Sequence, residues 1–142
     1  MINENFKVTG QVTIQKNGEV VRDIPNTVVT AGKNNIAALI TDAGVKMTHM
    51  AVGTGTNAVA AGDTTLGTEN DRNALSVSGG APSTNTIVYT GVWAAGDGTA
   101  AITEAGLFSA SSGGTMLART VFSAVNKGAG DILTITWTVT IS

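Results

Sequence analysis

The chain has 142 residues, no cysteine and a formal net charge of −2, a size that allows one domain without disulfides or thiolate metal sites. Its 8 basic residues are scattered, which argues against a nucleic-acid-binding protein because that class needs a basic patch. Charged residues make up only 13% of the chain, so solubility must rest on Thr, Ser, Asn and Gly or on burial in an assembly. The polar start Met1–Phe6 does not resemble a signal peptide, and no apolar run reaches the roughly 18 residues of a membrane span.

The first elements are predicted to form a β-hairpin. Residues 7–15 alternate apolar and polar side chains, as a half-buried strand does. Asn17-Gly18 favours a tight turn, so residues 19–24 should return antiparallel to the first strand. Pro25 should end this pairing because it has no N–H to donate.

One helix is predicted over residues 31–41, with Thr30 as its N-cap. Val28 and Val29, in the extended segment before it, should reach the core. The helix is expected to plug one open end of a β-sandwich. By helical spacing, the side chains expected to face the core are Ile36, Leu39 and Ile40, and those expected to face solvent are Asn34, Asn35 and Thr41.

The middle of the chain predicts two strands, residues 46–52 and 72–78, separated by a long loop. The small and polar stretch Thr54–Glu69 is predicted to be this surface loop, and loops of such length tend to be functional or disordered. The loop opens with Gly53-Thr54-Gly55, which lacks the Lys-Ser/Thr ending of a phosphate-binding loop. A tight turn where two backbone segments approach closely is the simpler interpretation.

The next strand is predicted over residues 87–93, with Gly91 as a bulge or as a seat for a neighbouring ring. Asp97-Gly98 is predicted to be a hairpin turn after it. Residues 101–109 and 115–123 flank a turn of small residues, which predicts another hairpin.

The last strand, residues 132–141, has the clearest pattern, because large apolar residues alternate strictly with threonines. Other strands must flank it, since an unpaired apolar terminus would fray or aggregate. About eight strands and one short helix predict an all-β fold, a single-domain antiparallel β-sandwich that is jelly-roll-like. The domain is expected to span residues 1–142, with residues 1–6 as a flexible N-terminal arm.

Few residues suggest catalysis or metal binding. His49 is the single histidine, and no G-x-S-x-G turn accompanies it, so an ordinary strand residue is the simpler interpretation. Asp63, Glu69 and Asp71 could together hold calcium, but they lack the spacing of an EF-hand loop, and solvated acids are the simpler interpretation. We expect no metal and no cofactor.

Glu104 lies in an otherwise apolar or small stretch, so it must be paired if its side chain is buried. Arg119, across the turn between two predicted strands, is the candidate partner, and Arg72 is another. The sequence therefore predicts a structural ion pair between Glu104 and Arg119. The catalytic alternative, one half of a glycosidase carboxylate pair, has no second acid with a reason to face Glu104.

Three aromatic residues, Tyr89, Trp93 and Trp137, could form a platform for a sugar ring. Each falls at a core-facing position of a predicted strand. Buried aromatic side chains make the largest single contributions to such a core, so we expect core packing.

Three blocks carry a resemblance to a known family. They are Met50–Gly55 with residues 62–66, residues 102–108, and residues 114–122 followed by 133–137. In this order they resemble a family of small tailed-bacteriophage virion proteins, labelled tail-fibre-like, collar-like or head-decoration proteins. The E-A-G-L-F block with M-L-A-R downstream is also similar to the N-terminal module of phage tail-collar fibres. The resemblance covers roughly residues 45 to 142.

The resemblance implies a non-enzymatic virion protein, and it brings no catalytic residue with it. The first hypothesis is a capsid decoration, or cement, protein that binds the major capsid protein or other virion proteins as a dimer or trimer. The alternative is a tail-fibre or collar component that attaches to the tail or to a host glycan, although residues 1–142 show no repetitive shaft of the kind expected in a fibre. An enzyme such as a depolymerase is the third hypothesis. The side chains expected to touch partners lie in the arm Met1–Phe6 and in the loop, where they are Thr54, Thr56, Asn57, Asp63, Thr64, Thr65 and Glu69.

Overall fold

The computed structural model describes residues 6–142. Within this range, ten β-strands form two antiparallel five-stranded sheets that pack as a sandwich, with one α-helix. The strands are β1 (Val8–Lys16), β2 (Glu19–Pro25), β3 (Thr27–Val28), β4 (His49–Gly53), β5 (Glu69–Ala74), β6 (Ala81–Ser83), β7 (Thr86–Trp93), β8 (Ala100–Phe108), β9 (Met116–Lys127) and β10 (Leu133–Ile141), and the helix is α1 (Thr30–Ile40). The predicted all-β sandwich with one short helix is therefore confirmed. In the part of the chain described, the strand number exceeds the predicted eight because β3 and β6 are very short.

The first sheet has the strand order β2-β1-β10-β7-β6, and the second has the order β3-β9-β8-β4-β5. The predicted terminal strand thus lies at the centre of the first sheet, paired with β1 along its whole length and with β7 along almost all of it. Its inward side chains Leu133, Ile135, Trp137 and Val139 are buried between the sheets, and the Trp137 Nε1–H donates to Asn26 Oδ1 at 3.0 Å.

The outer face of the first sheet carries no charge over its three central strands. The pairing aligns the threonines of β10 with polar residues of β1 and with Thr or Val of β7. The outward side chains are Thr9, Gln11, Thr13 and Gln15 on β1, Thr134, Thr136, Thr138 and Thr140 on β10, and Thr86, Val88, Thr90 and Val92 on β7.

The helix prediction was wrong in its cap and only partly right in its buried face. The helix begins at Thr30, and no side chain caps it; instead the Thr30 N–H donates to the Ala61 carbonyl at 2.8 Å. Gly32 and Asn35 are the buried helix residues. Gly32 lies against the Leu117 backbone, where a Cβ would overlap.

Asn35 is buried because its side chain bonds the backbone of Val45 in both directions, at 2.7 and 2.9 Å. This two-way bond and the close contact of Gly32 set the rotation of α1. Ile36 is consequently only partly buried against the core, while Leu39 is 45% and Ile40 83% exposed. Apolar spacing predicted a core-facing side that shares only Ile36 with the observed one, because the pattern does not show that an asparagine can be buried with its hydrogen bonds satisfied.

Two other boundaries differ from the prediction. The Asp97-Gly98 turn joins β7 of the first sheet to β8 of the second, so it is a crossover between sheets and not a hairpin. Strand β5 begins and ends earlier than predicted, and beyond it Leu75 is buried whereas Val77 is 53% exposed.

Replacement of Trp137 by Ala should lower the free energy of unfolding by about 3–5 kcal/mol, because it empties a fully buried site at the centre of the sheet. Replacement of Thr136, which points outward from the same strand, by Ala is the control and should cost less than about 1 kcal/mol. Urea unfolding followed by circular dichroism measures both. Equal losses in the two variants would contradict the inward and outward assignment.

Candidate functional site

The long loop between β4 and β5 folds over the outer face of the second sheet. We call residues 54–68 the covering loop. Its Leu66 is 6% exposed and packs in a second, smaller apolar cluster that is separate from the main core. The other buried members of this cluster are Val29, Ala51, Phe108 and Met116. Strand β8 is therefore buried on both faces, which explains why its sequence lacks apolar and polar alternation.

Glu104, in the middle of β8, lies under the covering loop and is fully buried. Its Oε2 accepts hydrogen bonds from the backbone N–H groups of Gly55, at 2.6 Å, and Thr68, at 2.8 Å. Its Oε1 accepts a third from the Gly67 N–H at 2.7 Å. One carboxylate thus fastens both ends of the loop to the sheet.

Arg119, on the neighbouring strand β9, is also fully buried and neutralises this carboxylate. Its Nη2 donates to Glu104 Oε1 at 2.9 Å, and its Nη1 donates to Asp63 Oδ2 at 2.9 Å. Its Nη2 also reaches the backbone carbonyl and side-chain Oδ1 of Asn57, at 3.2 and 3.1 Å. The predicted Glu104–Arg119 ion pair is present, and the guanidinium extends it to the middle of the covering loop.

The hydrogen bonds and charges of this network stabilise the ionised forms of Glu104 and Asp63. Burial by itself raises the pKa of Glu104, but the N–H groups of Thr68 and Gly67, the Arg119 guanidinium and the Gly55 N–H together hold that pKa below its usual value. The pKa of Asp63 is also lowered, by the Ala60 N–H and then, against some desolvation, by Arg119. Both acids therefore favour the folded state when they are ionised.

The two glycines at the start of the loop are required by this close packing. A Cβ on Gly53 would overlap the Thr68 carbonyl, and a Cβ on Gly55 would overlap Glu104 Oε2. The predicted close approach of two backbone segments is confirmed, because the Thr54 N–H donates to the Thr68 carbonyl at 2.9 Å. The Thr103 hydroxyl adds a bond to the Gly55 carbonyl at 2.7 Å.

The structure divides the predicted partner-contact residues into two groups. Asp63 and Glu69 form internal ion pairs, the first with Arg119 and the second with Arg72 at 2.7 Å. Asn57 is exposed although its oxygens accept from Arg119. The remaining predicted contact residues, Thr54, Thr56, Thr64 and Thr65, are exposed on the loop surface. Of the predicted arm, Met1–Asn5 lies outside the described residues, and Phe6 is 70% exposed.

Arg72, the alternative partner for Glu104, is engaged elsewhere. Its guanidinium lies 3.8 Å from the centre of the Phe108 ring and donates to the carbonyls of Ala110 and Gly113, both at 2.9 Å. It therefore ties β5 to the β8–β9 turn.

The three acids considered for calcium do not converge. Asp63 and Glu69 face separate arginines, and Asp71 lies instead beside Asp97. Burial, and then the neighbouring Asp97 carboxyl, raise the pKa of Asp71. Within residues 6–142, no group of three or more acids and histidines could hold a metal ion.

The histidine and the aromatic residues take structural positions. His49 Nδ1 bonds the hydroxyl of Thr48 at 2.8 Å. Trp93 and Trp137 are fully buried and Tyr89 is 7% exposed, which confirms core packing and leaves none of the three free to stack on a sugar. Gly91 provides the predicted seat for a ring, because a Cβ there would lie 3.0 Å from the Trp93 ring.

Sequence reasoning missed the backbone donors that complete the site, chiefly Gly67 and Thr68, and it missed the inserted Leu66. A partial signal was present, since Leu66 is a large apolar residue inside a small and polar stretch. Among the helices within the described range, none is long and apolar enough to cross a membrane.

Replacement of Glu104 by Gln should lower the free energy of unfolding by about 3–5 kcal/mol, because it leaves Arg119 buried without its main counter-charge. Glu69→Gln removes the exposed partner of Arg72, which keeps its bonds to the Ala110 and Gly113 carbonyls, so it should cost less than about 1 kcal/mol and is the matched control. Denaturant unfolding compares the two. A loss for Glu104→Gln no larger than the control loss would show that the buried pair does not hold the loop.

The stability difference between wild type and Glu104→Gln should depend on pH. The pKa of Glu104 is depressed in the folded state, so its contribution is fully present above the usual value of 4.5 and is lost as pH falls through the folded-state pKa. The gap in stability between the two proteins should therefore narrow as pH falls below 4.5, and it should close only when pH is below the folded-state pKa of Glu104. Unfolding measured across a pH series tests this, and a gap that stays constant to low pH would contradict it.

Comparison of the chain with protein-family models, with curated protein sequences and with solved structures gave no match.

Proposed function

We propose that this chain is a non-enzymatic structural protein of a tailed-bacteriophage virion, a capsid decoration protein that binds and stabilises the assembled head. The observation that carries the proposal is the covering loop, fastened by Glu104 and Arg119 and presenting uncharged polar side chains to solvent. A loop fixed before binding loses little conformational entropy when a partner docks on it. Fifteen residues that would ordinarily fluctuate thus become a preformed contact surface.

The site chemistry favours binding over catalysis. The carboxylate of Glu104 accepts three backbone N–H groups and faces a guanidinium, so its oxygens are committed to architecture. The exposed polar side chains on the loop are Thr54, Thr56, Asn57, Thr64, Thr65 and Thr68. Such groups form hydrogen bonds to a protein surface without the desolvation cost of charges.

The low charge of the chain and its uncharged outer sheet face also support a part in an assembly, because interface cores are depleted in charged residues. The resemblance of residues 45–142 to small phage virion proteins supplies the biological setting. A decoration protein of this kind would bind the major capsid protein as an oligomer within the virion. By binding only the assembled shell, it would stabilise that shell through mass action.

Location in the particle tests the proposal directly. Immunogold labelling or a cryo-EM map of the phage that encodes the chain should find it distributed over the head. Signal confined to the tail or collar would contradict the decoration role and favour the fibre or collar alternative.

Loop variants test the docking surface. Purified protein should bind isolated heads saturably, and the double change Thr64→Lys and Thr65→Lys should weaken this binding at least about tenfold, because two charges are added to the contact. The control Val20→Lys adds a charge to an exposed position on the edge strand β2. Equal binding by both variants, with unchanged thermal stability, would show that the covering loop does not touch the head.

A further inference from the structure

We infer that the cleft between helix α1 and the edge of the sandwich binds a single-chain fatty acid, with the acyl chain in the cleft and the carboxylate held by Lys46 and Tyr89. The cleft has a volume of about 390 Å³, which is the size of a small-ligand pocket. None of the residues that line it belongs to the covering loop, and the inference does not depend on a virion location.

The walls of this cleft are apolar and are formed in part by the core. The buried residues that line it are Met47, Tyr89, Leu117 and Val139. Asn35 also lines the cleft, but its side-chain nitrogen and oxygen both bond the backbone of Val45. An acyl chain in the cleft would therefore contact mainly apolar atoms and would leave water without stranding a polar group of the wall.

A second, smaller cleft continues the apolar surface along the helix. It has a volume of about 370 Å³ and lies between α1 and Phe6. Val8, Ile36 and Ile40 line both clefts, so the two adjoin. Two adjoining apolar clefts fit a long, unbranched chain better than they fit a compact ring.

The charged residues that line the two clefts are basic. Lys46 lines the larger cleft and Lys33 the smaller, and among the described residues no acid lines either of them. Because a charge beside an apolar wall is less screened than one in open solvent, the lysines favour an anionic ligand over a cationic one.

Tyr89 provides a hydrogen-bond donor without a partner in the larger cleft. The residue is 7% exposed, and no other group in residues 6–142 forms a hydrogen bond with its hydroxyl. Burial raises the pKa of Tyr89, so the hydroxyl stays protonated and can donate at neutral pH. A carboxylate oxygen that accepted from this hydroxyl would remove the cost of leaving it unpaired.

A turn of two glycines brings Tyr89 and Lys46 close to each other. Gly79 and Gly80 have φ angles of +84° and +79°, a conformation that favours glycine. A Cβ on Gly80 would lie 2.7 Å from Tyr89 Cε1. A Cβ on Gly79 would lie 3.1 Å from Lys46 Cδ. The tyrosine ring and the lysine stem therefore pack against the same turn, which allows one carboxylate to reach both the hydroxyl and the ammonium group.

The shape of the site favours a free fatty acid over a membrane lipid. The clefts form one continuous apolar path along α1, whereas a phospholipid has two chains to bury. The carboxylate would bind beside the nearly buried Tyr89, and a headgroup anchored in a bilayer does not reach such a position.

Calorimetric titration with decanoate, kept below the concentration at which it forms micelles, tests the inference. We expect saturable binding of one decanoate per chain. Decyltrimethylammonium has a chain of the same length and a cationic head, so it should bind at least about tenfold more weakly.

Variants of the two polar residues test the carboxylate position. Lys46→Gln and Tyr89→Phe should each weaken decanoate binding about tenfold, because each removes one bond to the carboxylate. Lys33→Gln is the matched control and should change binding less than about threefold, since Lys33 lines only the smaller cleft. Tyr89→Phe should not destabilise the unliganded protein, because it breaks no hydrogen bond there.

A charge placed on the wall tests the acyl-chain position. Leu39 lines the larger cleft and is 45% exposed, so Leu39→Asp should fold and should weaken decanoate binding at least about tenfold. Val20→Asp, at an exposed apolar residue of β2, is the control and should bind decanoate as the wild type does. Circular dichroism checks that both variants are folded.

Four results would overturn the inference. The first is a wild-type protein that binds no decanoate, and the second is binding that Lys46→Gln, Tyr89→Phe and Leu39→Asp all leave unchanged. The third is binding to phosphatidylglycerol vesicles without binding to free decanoate, which would indicate a membrane surface. The fourth is a dimer that Leu39→Asp dissociates and that binds no decanoate, which would assign the cleft to a second copy. Head binding is measured separately, so each of these results leaves the proposed function to its own test.

Discussion

The buried carboxylate of Glu104 is the constraint on which the second sheet depends. An ionised carboxylate away from water is stable only if its oxygens are fully bonded and its charge is balanced. Three backbone N–H groups of the covering loop and the Arg119 guanidinium meet both conditions. If the loop moved away, the charged side chains of Glu104 and Arg119 would lose hydrogen-bond partners. The conformation of the loop is therefore coupled to the stability of the whole domain.

Because of this network, the covering loop forms a third layer on the outer face of the second sheet. Main-core residues fill the space between the two sheets, and the Leu66 cluster fills a second space between the second sheet and the covering loop. The loop also accepts the Thr30 N–H at the start of α1, through the carbonyl of Ala61. Helix and loop therefore fix each other, and strand β9 contacts both, the helix at Leu117 and the loop through Arg119.

The resulting molecule presents three distinct outer surfaces. The covering loop offers hydroxyl and amide groups on a rigid backbone, the first sheet offers an uncharged face rich in threonine, and apolar clefts lie between α1 and the edge of the sandwich.

Local patterns in the sequence determined the strands with strong alternation, because a period of two reports directly which side chains face a core. Residues 132–141 illustrate this, and Trp137 is buried as its position in the pattern requires. The Glu104–Arg119 ion pair could also be predicted from the sequence. A lone acid in the apolar stretch around Glu104 needs a partner, and the hairpin places Arg119 on the adjacent strand. The sequence did not reveal that this acid points away from the main core.

Only the tertiary structure decided how the non-periodic segments are used. The covering loop is held by backbone N–H groups, which every residue except proline carries and which leave no signature in a sequence. The rotation of α1 follows from the Gly32 contact and the Asn35 hydrogen bonds, both of which join residues on different elements. Side-chain periodicity contains information about one helix or strand at a time. These contacts form only when folding brings distant parts of the chain together.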